Sequence, residues 1–138
     1  MREILFRGKD FSGVINHNWC FGSLDTIEDD RAIIIYSDRF GNKCRIFVDP
    51  STVGEYTGLK DKNGERIFEG DILRQAYHPE EDVIIEWHDG RFKFRKRNKP
   101  KDYGYESLCC VQNTVDYLKV IGNIHDNPEL LGGVNNGW

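Results

Sequence analysis

Apolar residues in this chain come in short runs with a period near two, separated by turn-forming residues, and helical periodicity is almost absent. Residues 3–7 alternate loosely and read as a first strand. Residues 14–24 hold Trp19, Phe21 and Leu24, with Gly22 as a bulge or close-packing point. The run Ala32, Ile33, Ile34, Ile35, Tyr36 is the most apolar, and 31–37 is predicted as a strand. Residues 43–48 form the next, across a turn at Gly41-Asn42. Counting outward from that turn sets Tyr36 opposite Phe47 and Asp38 opposite Arg45.

Residues 49–53 read as a short helical turn or a loop, with Pro50 early and Ser51 and Thr52 beside it. At 60–66, Asn63-Gly64 predicts a type I′ hairpin that pairs Lys62 with Glu65 and Asp61 with Arg66. The span 83–97 predicts a second hairpin about Asp89-Gly90. Its register sets Trp87 against Phe92, Ile85 against Phe94 and Val83 against Lys96 on an apolar face. Glu86 then meets Lys93, and Asp82 meets Arg97, on an ion-paired face.

Residues 98–116 are irregular, and 107–111 fits a short helix or a strand equally well. Residues 117–124 read as a last strand. Asn127 then caps a single helical turn with Pro128 at its first position, Gly132 just past its end, and Leu130 and Leu131 docking it. The tail 133–138 is expected to be flexible. The fold class is therefore α+β, predominantly β: antiparallel hairpins with a small SH3-like barrel or sheet and short helical turns.

Composition narrows this picture without changing it. At 138 residues the chain suits one domain with a self-sufficient core. Lys and Arg number 19 against 23 Asp and Glu, and a net charge of −4 argues against a non-specific coater of DNA. No apolar run approaches the length of a membrane helix, and the amino terminus has no secretory pattern. Cys20, Cys44, Cys109 and Cys110 contain no C-x-x-C pair, so reduced thiols in a cytoplasm are expected.

Four blocks resemble the YopX family of phage and prophage proteins. They are residues 2–10, the strand Trp19, Phe21, Gly22, Ser23, Leu24, the 26-residue stretch 48–73, and the closing motif 121–131. The signature residues are Tyr56, Thr57, Gly58, Leu59, Asp61, Asn63, Gly64, Glu69, Gly70, Asp71, Gly122, Asn123, Asn127 and Pro128, read as structural. The resemblance implies a protein encoded by a phage or prophage, working in the cytoplasm of a bacterial host cell. It also implies one domain over 1–132, with a strand-rich part (1–50), a signature hairpin (55–75) and a barrel-like part (70–132). It transfers no catalytic residue.

Candidate chemistry is sparse. Basic residues run from Arg91 to Lys101, and Lys96, Arg97, Lys99 and Lys101 remain unbalanced once the facing acids are counted, which suggests a nucleic-acid surface. A solvated hairpin face explains the same run more economically. Glu69 and Asp71, two apart, would share a strand face and could hold a divalent cation, although Gly-Asp is also ordinary turn chemistry. His17, His78, His88 and His125 lack zinc-site spacing, and neither Cys109 nor Cys110 has an identifiable activating group. Phosphate-loop, nucleophile-elbow and dinucleotide motifs are absent. The expectation is a non-enzymatic accessory module without cofactor that binds a host or phage protein, self-associates, and does not enter membranes. Nucleic-acid binding through the 83–97 hairpin end, and a divalent-metal enzyme using Glu69 and Asp71, are the alternatives.

Overall fold

Alternation of apolar and polar side chains lays down a set of strands that the computed structural model describes over residues 3–96, 106–107 and 114–131. The chain divides into two compact units, Met1–Tyr56 and Thr57–Trp138. The first holds β1 (Phe6–Lys9), β2 (Trp19–Ile27), β3 (Ala32–Ser37), β4 (Lys43–Val48), a 3-10 turn at Pro50–Thr52, and the start of β5 (Gly54–Asp61). The second holds the rest of β5 with β6 (Arg66–Phe68), β7 (Asp71–Gln75), β8 (Asp82–His88), β9 (Arg91–Lys96), β10 (Glu106–Ser107), β11 (Thr114–Val115) and β12 (Leu118–Asn123). A 3-10 turn at Pro128–Leu131 follows.

In the first unit β1, β2, β3 and β4 pair in sequence, all antiparallel, and the start of β5 pairs with β1. Cys20, Ala32, Ile34, Ile46 and Val48 form its core, with Ile15 packing on from the loop before β2. Close approach is built in at Gly22. A Cβ there would run into the Ile35 carbonyl oxygen, so only glycine lets β2 and β3 meet. The bulge itself falls three residues later, between Leu24 and Thr26.

Two local expectations are corrected in this unit. The stretch 14–18 is a loop and not strand, because Asn16 and His17 both adopt positive φ. The β3–β4 register pairs Tyr36 with Cys44 and Ile33 with Phe47, not Tyr36 with Phe47. The Asp38 side chain sets that register by accepting the amides of Phe40 and Asn42, which stretches the turn into a loop over 38–42. It also matches buried Ile34 to buried Ile46. The counted register would have placed Ile34 opposite Asp49, with the strand's inner residues facing the wrong side of β4.

The second unit pairs β10, β9, β8, β7 and β12 in that order, antiparallel throughout, while β5 takes β6 on one side and β11, parallel, on the other. The described strands form open sheets and not a closed SH3-like barrel. Ile67, Leu73, Val83, Ile85, Phe94, Val115 and Leu118 make the core. The β8–β9 register agrees with the sequence reading at Trp87–Phe92, Ile85–Phe94 and Val83–Lys96, because Asp89 and Gly90 both have positive φ and form the expected two-residue turn. On the opposite face Glu86 stands opposite Lys93 as counted, but the face is not a solvated row of ion pairs. Ile84 and Arg95 are buried there, and Glu86 forms its ion pair with Arg95 on the diagonal.

The turn at 60–66 is a different type from the one predicted. Only Gly64 has positive φ; the Asp61 amide donates to the Glu65 carbonyl, and the Gly64 amide to the Asp61 carbonyl. This is a three-residue loop ending in a left-handed glycine. The Asp61 carboxylate selects it by accepting the Asn63 and Glu65 amides at 2.8 and 2.9 Å.

Candidate functional site

The signature residues occupy the joints of the second unit. Thr57 is buried, and its hydroxyl donates to the Ile67 carbonyl at 2.8 Å while accepting the Leu59 amide. Asp61 is fully buried. Asn123 accepts the amides of His125 and Asp126, which turns the chain sharply after β12. Asn127 does not cap the following turn with its side chain. Its carbonyl oxygen instead reaches back to the Asn123 amide at 3.1 Å, and Gly122 leaves room for it, since a Cβ would collide with that oxygen.

Glu69 and Asp71 flank a pinned turn and have different surroundings. Gly70 between them has φ +93°, its amide donates to the Ile85 carbonyl and its carbonyl accepts the Ile124 amide. Asp71 is buried and accepts the Phe68 amide at 2.8 Å, while Glu69 lies in a surface cleft. Among the described residues no group of three or more His, Cys, Asp or Glu side chains is placed to hold a metal ion.

The cleft measures about 380 Å³ and is lined by Glu69, Gly70, Ile84, Ile85, Glu86, Trp87, Arg95, Ile124, His125 and Leu131. Strand β8 supplies one wall, Arg95 on β9 part of the lining, and the chain after β12 the far side. Arg95 is buried, with its Nε donating to Glu86. Trp87 sits 53% exposed, and its ring meets Phe92 edge-on at 4.8 Å. Apolar isoleucines and Leu131 surround these polar groups, so the cleft offers shape and desolvated surface more than reactive groups. Sequence reading found Glu69 and Trp87 but missed His125 and Arg95 as neighbours, since they come from distant segments.

Of the proposed nucleic-acid residues, Lys96 pairs with Glu81 at 3.3 Å, and Arg97, Lys99 and Lys101 lie outside the described residues. His17 is structural, with Nδ1 2.9 Å from the Asp10 carbonyl oxygen. His78 and His88 are exposed. Cys20 and Cys44 are free thiols; burial, and then the nearby Asp10 carboxylate, push Cys20 up to about 11. Cys109 and Cys110 lie outside the described residues. No described helix is long and apolar enough to cross a membrane.

Residues 6–132 match a family model described as YopX protein. The chain is also similar to a solved structure, the crystal structure of protein EF1440 from Enterococcus faecalis. That likeness has 27% identity and a TM-score of 0.53, and it covers 95% of this chain and 99% of that one. No curated protein matches the chain.

Proposed function

The chain belongs to the YopX family, and from that footing we propose that it is a phage- or prophage-derived accessory protein acting as a non-enzymatic interaction module, with a host or phage protein received at the cleft of the second unit. The observation that carries this reading is the cleft's lining, in which exposed Trp87 joins apolar Ile84, Ile85, Ile124 and Leu131. Tryptophan is among the residues that dominate binding hot spots, where large exposed anchors fill pockets on a partner. A reaction centre instead needs an acid or base poised to exchange a proton, and here Glu86 and Arg95 are joined to each other.

The test is capture from nuclease-treated bacterial lysate with tagged wild-type protein and with Trp87→Ala. The reading expects a retained protein that the variant loses. Equal retention by both would remove the cleft from the account. A monomer that retains nothing would remove the module itself.

A further inference from the structure

The outer face of the first unit's sheet departs from the acidic balance of the chain. Alternation along β2, β3 and β4 turns Cys20, Ile34 and Ile46 inward and leaves Phe21, Ile33, Ile35 and Phe47 on the other side. Phe21 and Phe47 keep 47% and 50% of their surface open.

The strand register threads basic side chains between these apolar ones. Arg7 stands opposite Phe21, Lys9 opposite Trp19, and Arg45 opposite Ile35. Lys43, two residues before Arg45 on β4, shares the face and is exposed. The strand acid beside them is Asp25, which meets Arg45. Arg7 is buried, which leaves three accessible bases, Lys9, Lys43 and Arg45, against one strand acid in a protein of net charge −4. Trp19 already carries cations on its ring, with Arg7 at 4.5 Å and Lys9 at 5.6 Å from the centroid.

Protein-binding cores are depleted in charge at their centre. Here cations of β1 and β4 flank the rings of β2 and Phe47 of β4, and that pattern suits a chain of flat bases joined by phosphates. Aromatic rings on an open sheet stack bases regardless of sequence, and neighbouring Lys and Arg meet the backbone.

We propose that this face binds single-stranded nucleic acid, with bases stacked on Phe21 and Phe47 and phosphates met by Lys43 and Arg45. A phosphate approaching Arg45 replaces Asp25 as its partner. The site lies in the first unit and stands independently of the cleft.

The test is fluorescence anisotropy of labelled oligothymidylate and oligouridylate titrated with the full chain over a series of salt concentrations. Binding to single strands is expected, weakening as salt rises. Phe21→Ala and Phe47→Ala should each cost about tenfold in affinity. Lys43→Ala with Arg45→Ala should make the slope of log K against log salt shallower by about 0.7 for each lost contact. Trp87→Ala should leave the affinity unchanged. All these side chains are exposed, and matching melting curves would show that the variants fold. Absence of binding at about 50 mM salt, or equal affinity in the Phe21→Ala/Phe47→Ala variant, would overturn the proposal. So would light scattering that finds a dimer made monomeric by that double substitution, because the face would then belong to a second copy of the chain.

Discussion

The Asp61 carboxylate accepts the backbone amide of Val120 at 2.9 Å, across a separation of 59 residues. Its other oxygen accepts the Asn63 and Glu65 amides, so one buried side chain both shapes the β5–β6 hairpin and ties β12 to it. Asp61→Ala strips acceptors from three amides and should destabilise the protein by about 3 kcal/mol or more. Asp61→Asn keeps one acceptor oxygen and should fall between the two. Urea denaturation monitored by tryptophan fluorescence measures both.

Asp10 is the corresponding node of the first unit. Burial alone would raise its carboxyl, but hydrogen bonds from the Ser12 hydroxyl and from the Ile15, His17 and Ser12 amides outweigh that, bringing it from 3.8 to about 2. The unfolded chain therefore binds the proton more readily than the folded one. The stabilisation is complete above pH 3.8 and is lost as pH falls through about 2. Acid titrations of Asp10→Asn should show a flatter stability profile between those two values than wild type.

Gly22→Ala should weaken the first unit severely, because its Cβ would meet the Ile35 carbonyl, a backbone atom that cannot step aside without parting β2 from β3. A loss of at least about 2 kcal/mol is expected. Thermal unfolding would show it, and an unchanged melting temperature would mean that the two strands are further apart than described.

The β8–β9 turn offers a milder test. Gly90 has φ +84° and open space around it, so Gly90→Ala should cost only the conformational penalty, about 1 kcal/mol. Asp89 occupies a position with φ +57° that favours asparagine in type I′ turns. Asp89→Asn should be neutral or slightly stabilising in the same melts.

How much of this was legible depends on where each turn takes its instructions. Asp89-Gly90 carries its own, in two residues tolerant of positive φ, and the β8–β9 register could be counted from it. The loop at 38–42 is organised by a carboxylate outside the glycine dipeptide, and the count failed there. At 60–66 the glycine was correctly placed, but Asp61 changed the turn type. The cleft was legible only in pieces, since Glu69, Trp87, Arg95 and His125 converge from four segments and periodicity says nothing of such meetings. The outer face of the first unit escaped notice because its rings and cations lie on different strands, and a misplaced β3–β4 register hid their adjacency.

Strand β3 is apolar on both sides: Ala32 and Ile34 are fully buried, while Ile33 and Ile35 are half-covered. Its own composition therefore does not say which side belongs inside. Such a segment, rich in β-branched residues and uncharged from 32 to 36, is also the sort that stacks with copies of itself when exposed. The charges at its ends answer that hazard. Asp29, Asp30 and Arg31 precede it and Asp38 and Arg39 follow, acting as gatekeepers that oppose self-association until β2 and β4 have closed on either side. A nascent chain thus carries its most adhesive segment between built-in guards, and neutralising them should show first as loss of soluble yield, before any change in the folded state.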